Sequence, residues 1–279
     1  MKKLFYTSLI GSYLLTGCAY TEQQTEIQNH KKINLSVKYG INESALMQAG
    51  ENFIFVIPDF NTTSIYKLDN NYNLIWKKSI PIALEIVKSQ VKNNKLYILG
   101  YDKNKDKVAF LTYDINGKLE KITYYAKKYS LAKDFIVTNK NIYIAVTQYN
   151  DDNNSDIIIY DSNGKTITFF SPNMDDVNFI KPYKKGLLIV GTTLKENEDV
   201  LIVYKTFENK TIWAKTLDLG MDEKPLKVYL KNNKIILEVT STDSMGAQTD
   251  VTFTIDENGK INSIKKGVEF KQLPLRYRT

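Results

Sequence analysis

The sequence predicts an all-β protein that is built from five copies of one repeat. The first observation is a turn signature, Asp-x-Asn-Gly-Lys, which occurs three times around Asn116, Asn163 and Asn258. The second is a set of short apolar runs that flank each turn in the same order. The third is the composition, which is 43% hydrophobic and 12% aromatic and is typical of a globular protein.

The turns recur with a nearly constant period. The first two signature asparagines are 47 residues apart and the next is 95 residues further on, so one copy is missing between them. Residues 207–210 fill that gap, and residues 69–73 form a degenerate first copy. One reference position in the turn then recurs in steps of 45, 47, 45 and 50 residues, and these positions are Tyr72, Gly117, Gly164, Asn209 and Gly259. Glycine and asparagine there predict a tight hairpin turn, in which the leading aspartate bonds back to the backbone.

Each turn is flanked by four short runs that are rich in β-branched and aromatic residues, which favours strands. In the second repeat the first three runs are residues 84–87, 96–99 and 108–113, and the fourth follows the turn. Four short strands in about 46 residues are typical of a β-propeller blade. The sequence therefore predicts a propeller with five blades of four antiparallel strands each. Two further strand-like segments, residues 33–39 and 268–273, would close the ring, and a sixth blade made from both termini is the alternative.

Two tryptophans follow their turns at the same offset. Trp76 lies in the segment Leu-Asp-Asn-Asn-Tyr-Asn-Leu-Ile-Trp-Lys, and Trp213 occupies the same place in a later repeat. This segment resembles the repeat of PQQ-type bacterial propellers, and the resemblance implies that both tryptophans dock one blade against the next. Only two of the five repeats keep the tryptophan. The enzymes of that family hold their quinone with a vicinal disulfide, which a chain with one cysteine cannot form, so we expect no quinone cofactor.

The first 17 residues predict a signal peptide. Two lysines precede an apolar stretch that is too short to span a bilayer, and the segment ends in Leu15, Thr16, Gly17 and Cys18. These four residues resemble the bacterial lipobox, which implies cleavage before Cys18 and attachment of a diacylglycerol and an N-acyl chain to it. Residues 18–32 then predict a lipidated, flexible tether, and residues 33–279 a single propeller domain. We expect a lipoprotein of the cell envelope, anchored in the outer membrane.

The composition excludes several kinds of catalytic site. The chain has one cysteine, Cys18, and one histidine, His30, and both precede the repeats. A disulfide, a Cys/His metal site and a histidine-based triad are therefore excluded from the body, and we predict no metal. Residues 102–106 and 151–155 carry alternating oxygen ligands, but both lack the glycine and the final acid of a calcium loop. Both predict solvated hairpin loops.

Two other features leave alternatives open. Carboxylates in or beside strands, at Glu85, Asp134 and Glu238, are candidates for a glycosidase-like site at the axis of the propeller. Asn61 and Asn153 match the acidic-x-Asn-x-Ser/Thr pattern of bacterial N-glycosylation. Nucleic-acid binding is not expected, because 36 of the 38 basic residues are lysine rather than the arginine that favours phosphate.

These exclusions predict a non-enzymatic scaffold that binds protein partners of an envelope complex. The alternative is a propeller that binds carbohydrate or hydrolyses glycosides. Carboxylates about 5–9 Å apart at one mouth of the axial channel would favour hydrolysis. A mouth lined by lysine, asparagine and tyrosine would favour binding.

Overall fold

The computed structural model describes residues 35, 38–41, 45–126, 130–149, 155–170, 174–194 and 197–270. These residues form five antiparallel sheets of four strands, and sequence neighbours pair in every sheet. This is the strand arrangement of a five-bladed β-propeller, as the sequence predicts.

The strands follow one another in chain order. Sheet 1 consists of β1 (Met47–Ala49), β2 (Asn52–Pro58), β3 (Thr63–Leu68) and β4 (Leu74–Ile80). Sheet 2 consists of β5 (Leu84–Lys92), β6 (Lys95–Asp102), β7 (Lys107–Asp114) and β8 (Leu119–Tyr125). Sheet 3 consists of β9 (Ser130–Val137), β10 (Ile142–Tyr149), β11 (Ser155–Asp161) and β12 (Thr166–Phe170). Sheet 4 consists of β13 (Asp176–Tyr183), β14 (Gly186–Leu194), β15 (Glu198–Thr206) and β16 (Thr211–Leu217). Sheet 5 consists of β17 (Asp222–Lys231), β18 (Lys234–Thr242), β19 (Gln248–Ile255) and β20 (Ile261–Phe270).

The chain divides into two compact units. The first holds the described residues up to Ile57 together with Ser64–Ser79, and thus most of sheet 1. The second holds Pro58–Thr63 and the described residues from Ile80 onward, and thus sheets 2 to 5. In the second unit a separate apolar cluster fills each junction between consecutive sheets. A sheet buries both faces in this way, which explains why β14 is buried along nearly its whole length.

The repeated turn has the conformation that the sequence predicts. The five reference positions have positive φ angles of 61°, 84°, 87°, 68° and 79°. In four of the five turns an aspartate accepts hydrogen bonds from the backbone N–H groups two and four residues later. These aspartates are Asp69, Asp114, Asp161 and Asp256.

The first strands of sheets 2 to 5 share a feature that the sequence does not reveal. Each contains one additional residue that pairs with nothing on the second strand, and these residues are Val87, Lys133, Asn178 and Leu226. Such β-bulges increase the local twist and change the direction of the following side chain. First strands of neighbouring sheets also contact one another, from β5 to β9, β13 and β17.

The prediction of a strand at residues 33–39 is wrong at the described positions, because Leu35, Lys38 and Tyr39 are helical. Leu35 and Tyr39 are four residues apart, so a helix places both on one side, where they pack with Phe55. At the other end, β20 reaches Phe270 as the fourth strand of sheet 5. The described residues thus favour five blades over six.

Candidate functional site

A cleft lies at the edge of the sheets where the first strands end. Because neighbouring strands are antiparallel, the turns after the first and third strands of a blade lie at the same edge. The cleft has a volume of about 660 Å³ and is bordered by such turns of sheets 3 and 4 and by the end of β5. We call it the lysine cleft, and it is lined by Lys92, Val137, Thr138, Asn139, Lys140, Asn141, Tyr143, Pro182, Lys184, Lys185, Phe207 and Glu208.

The lysine cleft is strongly basic, since four lysines and a single glutamate line it. The Nζ atom of Lys92 donates to the carbonyl oxygen of Val137. The Nζ atom of Lys184 donates to Glu257 Oε2 at 2.8 Å, and this hydrogen bond raises the pKa of Lys184 above its usual value. Lys140 and Lys185 are exposed and pair with no carboxylate in the part of the chain that the structure describes. These two ammonium groups are available to an anionic ligand.

The floor of the lysine cleft is apolar. Tyr143 is buried and stacks on the half-exposed ring of Phe207, with 5.2 Å between the ring centroids and 13° between their planes. Asn141 Nδ2 donates to the Tyr143 hydroxyl at 3.3 Å. The hydroxyl of Thr138 accepts a hydrogen bond from Asn141 N at 2.9 Å and donates to Asn141 O at 2.7 Å. This closed turn fixes the backbone that carries Asn139 and Lys140.

A second cleft continues the basic surface into sheet 5. Its volume is about 480 Å³, and it shares Lys184 with the lysine cleft. Lys231, Asn232 and Asn233 also line it, and both asparagines have positive φ, at 51° and 59°. Lysine therefore lines these clefts at the ends of first strands in three consecutive sheets, together with asparagine in sheets 3 and 5 and with tyrosine in sheets 3 and 4. The sequence analysis associates these residue types with binding where they line a mouth of the axial channel, and here they line two clefts at the turns between strands.

The three carboxylates that the sequence analysis names as candidates for an axial site have different surroundings in the structure. Asp134 is buried and accepts hydrogen bonds from Lys88 Nζ at 2.5 Å, Phe135 N at 2.8 Å and Ile180 N at 2.9 Å. It thus joins the first strands of sheets 2, 3 and 4. Glu85 is largely exposed and lies 3.7 Å from Lys103, and Glu238 lies on β18 opposite Lys227. Asp134 therefore links three first strands through its hydrogen bonds.

Several other predicted residues have defined surroundings. Trp213 Nε1 donates to Glu257 O at 3.1 Å in the neighbouring sheet, and its ring packs over Gly259. Trp76 is half-buried on β4. Asn61 lies in an exposed loop between β2 and β3. Asp102 accepts hydrogen bonds from Asn104 N in its own loop and from Tyr124 Oη on β8, and it is buried, whereas the sequence predicts a solvated loop.

The remaining predictions from the sequence lie outside the described residues. They concern Leu15, Thr16, Gly17, Cys18, His30 and Asn153. Among the described residues, no helix has the length and apolar character that crossing a membrane requires.

Sequence reasoning also missed a group of three carboxylates, Asp199, Asp218 and Glu223, because they come from separate segments with no common motif.

Comparison with known proteins supports the fold. No protein-family model matches the sequence, and neither does any curated protein. Among solved structures, the hydrazine synthase of Kuenenia stuttgartiensis superposes with a TM-score of 0.53 at 12% identity, over 77% of this chain and 64% of its own. The dihydro-heme d1 dehydrogenase NirN has a TM-score of 0.52 at 10% identity, over 81% of this chain and 48% of its own. A puromycin-hydrolysing peptidase of Mycobacterium tuberculosis has a TM-score of 0.52 at 9% identity, over 79% of this chain and 38% of its own.

These solved structures contain β-propellers, and the present chain has the same class of fold, with five four-stranded sheets. The chain spans less than two thirds of the length of each of them. At identities near 10% the likeness concerns the fold alone. Since all three are enzymes by name, the fold is compatible with enzymes as well as with binding proteins.

Proposed function

We propose that this protein is a non-enzymatic scaffold of the cell envelope, anchored in the outer membrane by lipid on Cys18, and that the lysine cleft binds an acidic segment of a protein partner. The observation that carries the proposal is the lining of the cleft. Two exposed ammonium groups, Lys140 and Lys185, pair with no carboxylate among the described residues and lie beside an apolar floor formed by Tyr143 and Phe207.

Charge and shape support an acidic peptide as the ligand. Clustered lysines attract a negatively charged segment and speed its association, and the effect weakens as salt rises. The half-exposed ring of Phe207 offers apolar contact area to the same segment, as aromatic anchors do in protein interfaces. The exposed amides of Asn139 and Asn141 can donate hydrogen bonds to its backbone carbonyls.

Photo-crosslinking in the native membrane tests this proposal. A photoreactive amino acid replaces the exposed Asn139, and adducts are recovered through an affinity tag and identified by mass spectrometry. We expect one or a few protein adducts, and we expect the charge-reversing double variant Lys140→Glu/Lys185→Glu to lose them. The matched control is Lys215→Glu/Lys265→Glu, which reverses two exposed lysines on the fourth strands of sheets 4 and 5 and should keep them.

The outcomes separate the two functions that the sequence leaves open. Adducts that persist unchanged in the Lys140→Glu/Lys185→Glu variant would place the partner elsewhere and overturn the role of the lysine cleft. Adducts that consist of glycan rather than protein would instead support the carbohydrate-binding alternative. Absence of any adduct would contradict the scaffold itself.

A further inference from the structure

Three carboxylates meet where sheet 4 packs against sheet 5. Asp199 lies on β15, Asp218 in the connection between β16 and β17, and Glu223 on β17. One carboxylate oxygen from each lies within 4.8 Å of the others. The group therefore joins the third strand of one blade to the first strand of the next. We call these residues the carboxylate cluster.

The surroundings of Glu223 indicate that this carboxylate lacks a positively charged partner among the described residues. Its side chain is completely buried, and its Oε1 atom accepts a hydrogen bond from Ser241 Oγ at 3.0 Å. Its Oε2 atom is also buried and has no hydrogen-bond partner of standard geometry among the described residues, although the backbone N–H of Leu219 approaches the carboxylate as a weaker donor. A buried carboxylate with so few strong donors is unfavourable, and two further carboxylates beside it increase the repulsion. Neither Glu223 nor Asp218 has a lysine or arginine within ion-pair distance in the described chain.

We propose that the carboxylate cluster binds one divalent cation of the calcium class. Hard cations take oxygen ligands, and three carboxylates supply the negative charge that a dehydrated cation needs. Two oxygens on opposite sides of Ca²⁺, each about 2.4 Å from it, are about 4.8 Å apart. The three oxygens lie within 4.8 Å of one another, so one ion can contact all of them, and ligands from three irregularly placed segments suit the flexible coordination of Ca²⁺ better than the strict octahedron of Mg²⁺.

The position of the site assigns the cation a structural role. A cation held by Asp199 on one side and Glu223 on the other connects sheets 4 and 5 through bonds that the apolar cluster between them does not provide. It also supplies the missing partner of Glu223 Oε2. Because it binds only when the two sheets are assembled, it stabilises the folded state by mass action.

Thermal unfolding of the full chain in detergent tests the site, with protein first stripped by EDTA. At a hundredfold excess of Ca²⁺ over its Kd, we expect the Tm to rise by about 5–10 °C, and calorimetric titration should give one Ca²⁺ per chain. Mg²⁺ at the same concentration should produce a smaller rise. A Tm that does not respond to Ca²⁺ would overturn the proposal.

Variants distinguish the cation site from a general effect of salt. Glu223→Gln removes a buried charge, so its Tm in EDTA should equal or exceed that of the parent chain, while its response to Ca²⁺ should vanish. The control Glu238→Gln changes a half-buried glutamate of the same sheet and should keep the full response. If Glu223→Gln fails to fold, Asp218→Asn tests the same site at an exposed position. An unchanged Ca²⁺ response in the cluster variants would contradict the assignment.

Discussion

Tyr113 illustrates how a single buried polar atom affects stability. The residue is 1% exposed, and its hydroxyl has no hydrogen-bond partner among the described residues. Burial raises the pKa of this hydroxyl to about 12. The fold therefore favours the neutral hydroxyl over the phenolate. As far as this group is concerned, the protein keeps its full free energy of unfolding below the unfolded pKa of about 10. It loses stability as the pH rises through about 12.

We predict that Tyr113→Phe leaves stability at neutral pH unchanged or raises it by up to about 1 kcal/mol, because it removes a buried hydroxyl without a partner. The variant should also lose less stability than the parent between pH 10 and 12. Urea unfolding at pH 7 and pH 11 measures both effects. A loss of more than about 1 kcal/mol at pH 7 would show that the hydroxyl has a stabilising contact.

Asp134 gives the second prediction for a single residue. Lys88→Met leaves the buried carboxylate of Asp134 with two backbone donors and no cationic partner among the described residues. We expect a loss of about 1–3 kcal/mol, less than for a fully buried pair because Lys88 is about one-third exposed. Adding Asp134→Asn should recover part of this loss, and a double-mutant cycle from urea unfolding gives the coupling. Additive effects of the two substitutions would contradict a direct interaction between Lys88 and Asp134. Lys215→Met, which changes an exposed lysine, serves as the control.

At the scale of the element, the glycine of the repeated turn meets two separate requirements, a left-handed backbone conformation and, in one turn, close packing against a tryptophan. Gly164 and Gly259 occupy the same position in their turns, with φ angles of 87° and 79°. A Cβ atom at Gly164 would meet nothing within 4 Å. At Gly259 it would lie 2.7 Å from the ring of Trp213, which belongs to the neighbouring sheet. Both turns need the left-handed backbone, but only the second also receives a tryptophan.

We predict that Gly164→Ala costs about 1–2 kcal/mol, which is the penalty of a left-handed backbone conformation. Gly259→Ala should cost at least about 1 kcal/mol more, since the ring of Trp213 must also move. Thermal and urea unfolding of both variants measure the difference, which Trp213→Phe should reduce. Equal losses in the two variants would show that the tryptophan packing contributes little.

At the scale of the whole molecule, the proposed lipid anchor would decide where the basic clefts act. A lipidated Cys18 followed by a tether of up to about 50 Å would let the propeller range over neighbouring envelope proteins. We predict that Cys18→Ala abolishes lipid labelling and releases the protein from the membrane or leaves it unprocessed. Metabolic labelling with a radioactive fatty acid and membrane fractionation measure both effects. Retention of a processed Cys18→Ala protein in the membrane would contradict lipid anchoring.

The sequence by itself determined the repeat, the five turns and the four strands per blade. These depend on local chemistry, since a glycine or asparagine with positive φ and an aspartate that bonds back are recognisable within five residues. Long-range contacts decided the rest. The helical conformation of Leu35 and Tyr39 follows from packing on Phe55, and the bulges of the first strands follow from pairing with the second.

Only the tertiary structure brought the functional candidates together. The lysine cleft joins Lys92, Lys140 and Lys185, which lie about one repeat apart, and the carboxylate cluster joins the third strand of one blade to the first strand of the next. A repeat fixes which residue occupies each position within a blade. It does not fix which positions face each other between blades, because that depends on the twist and packing of whole sheets.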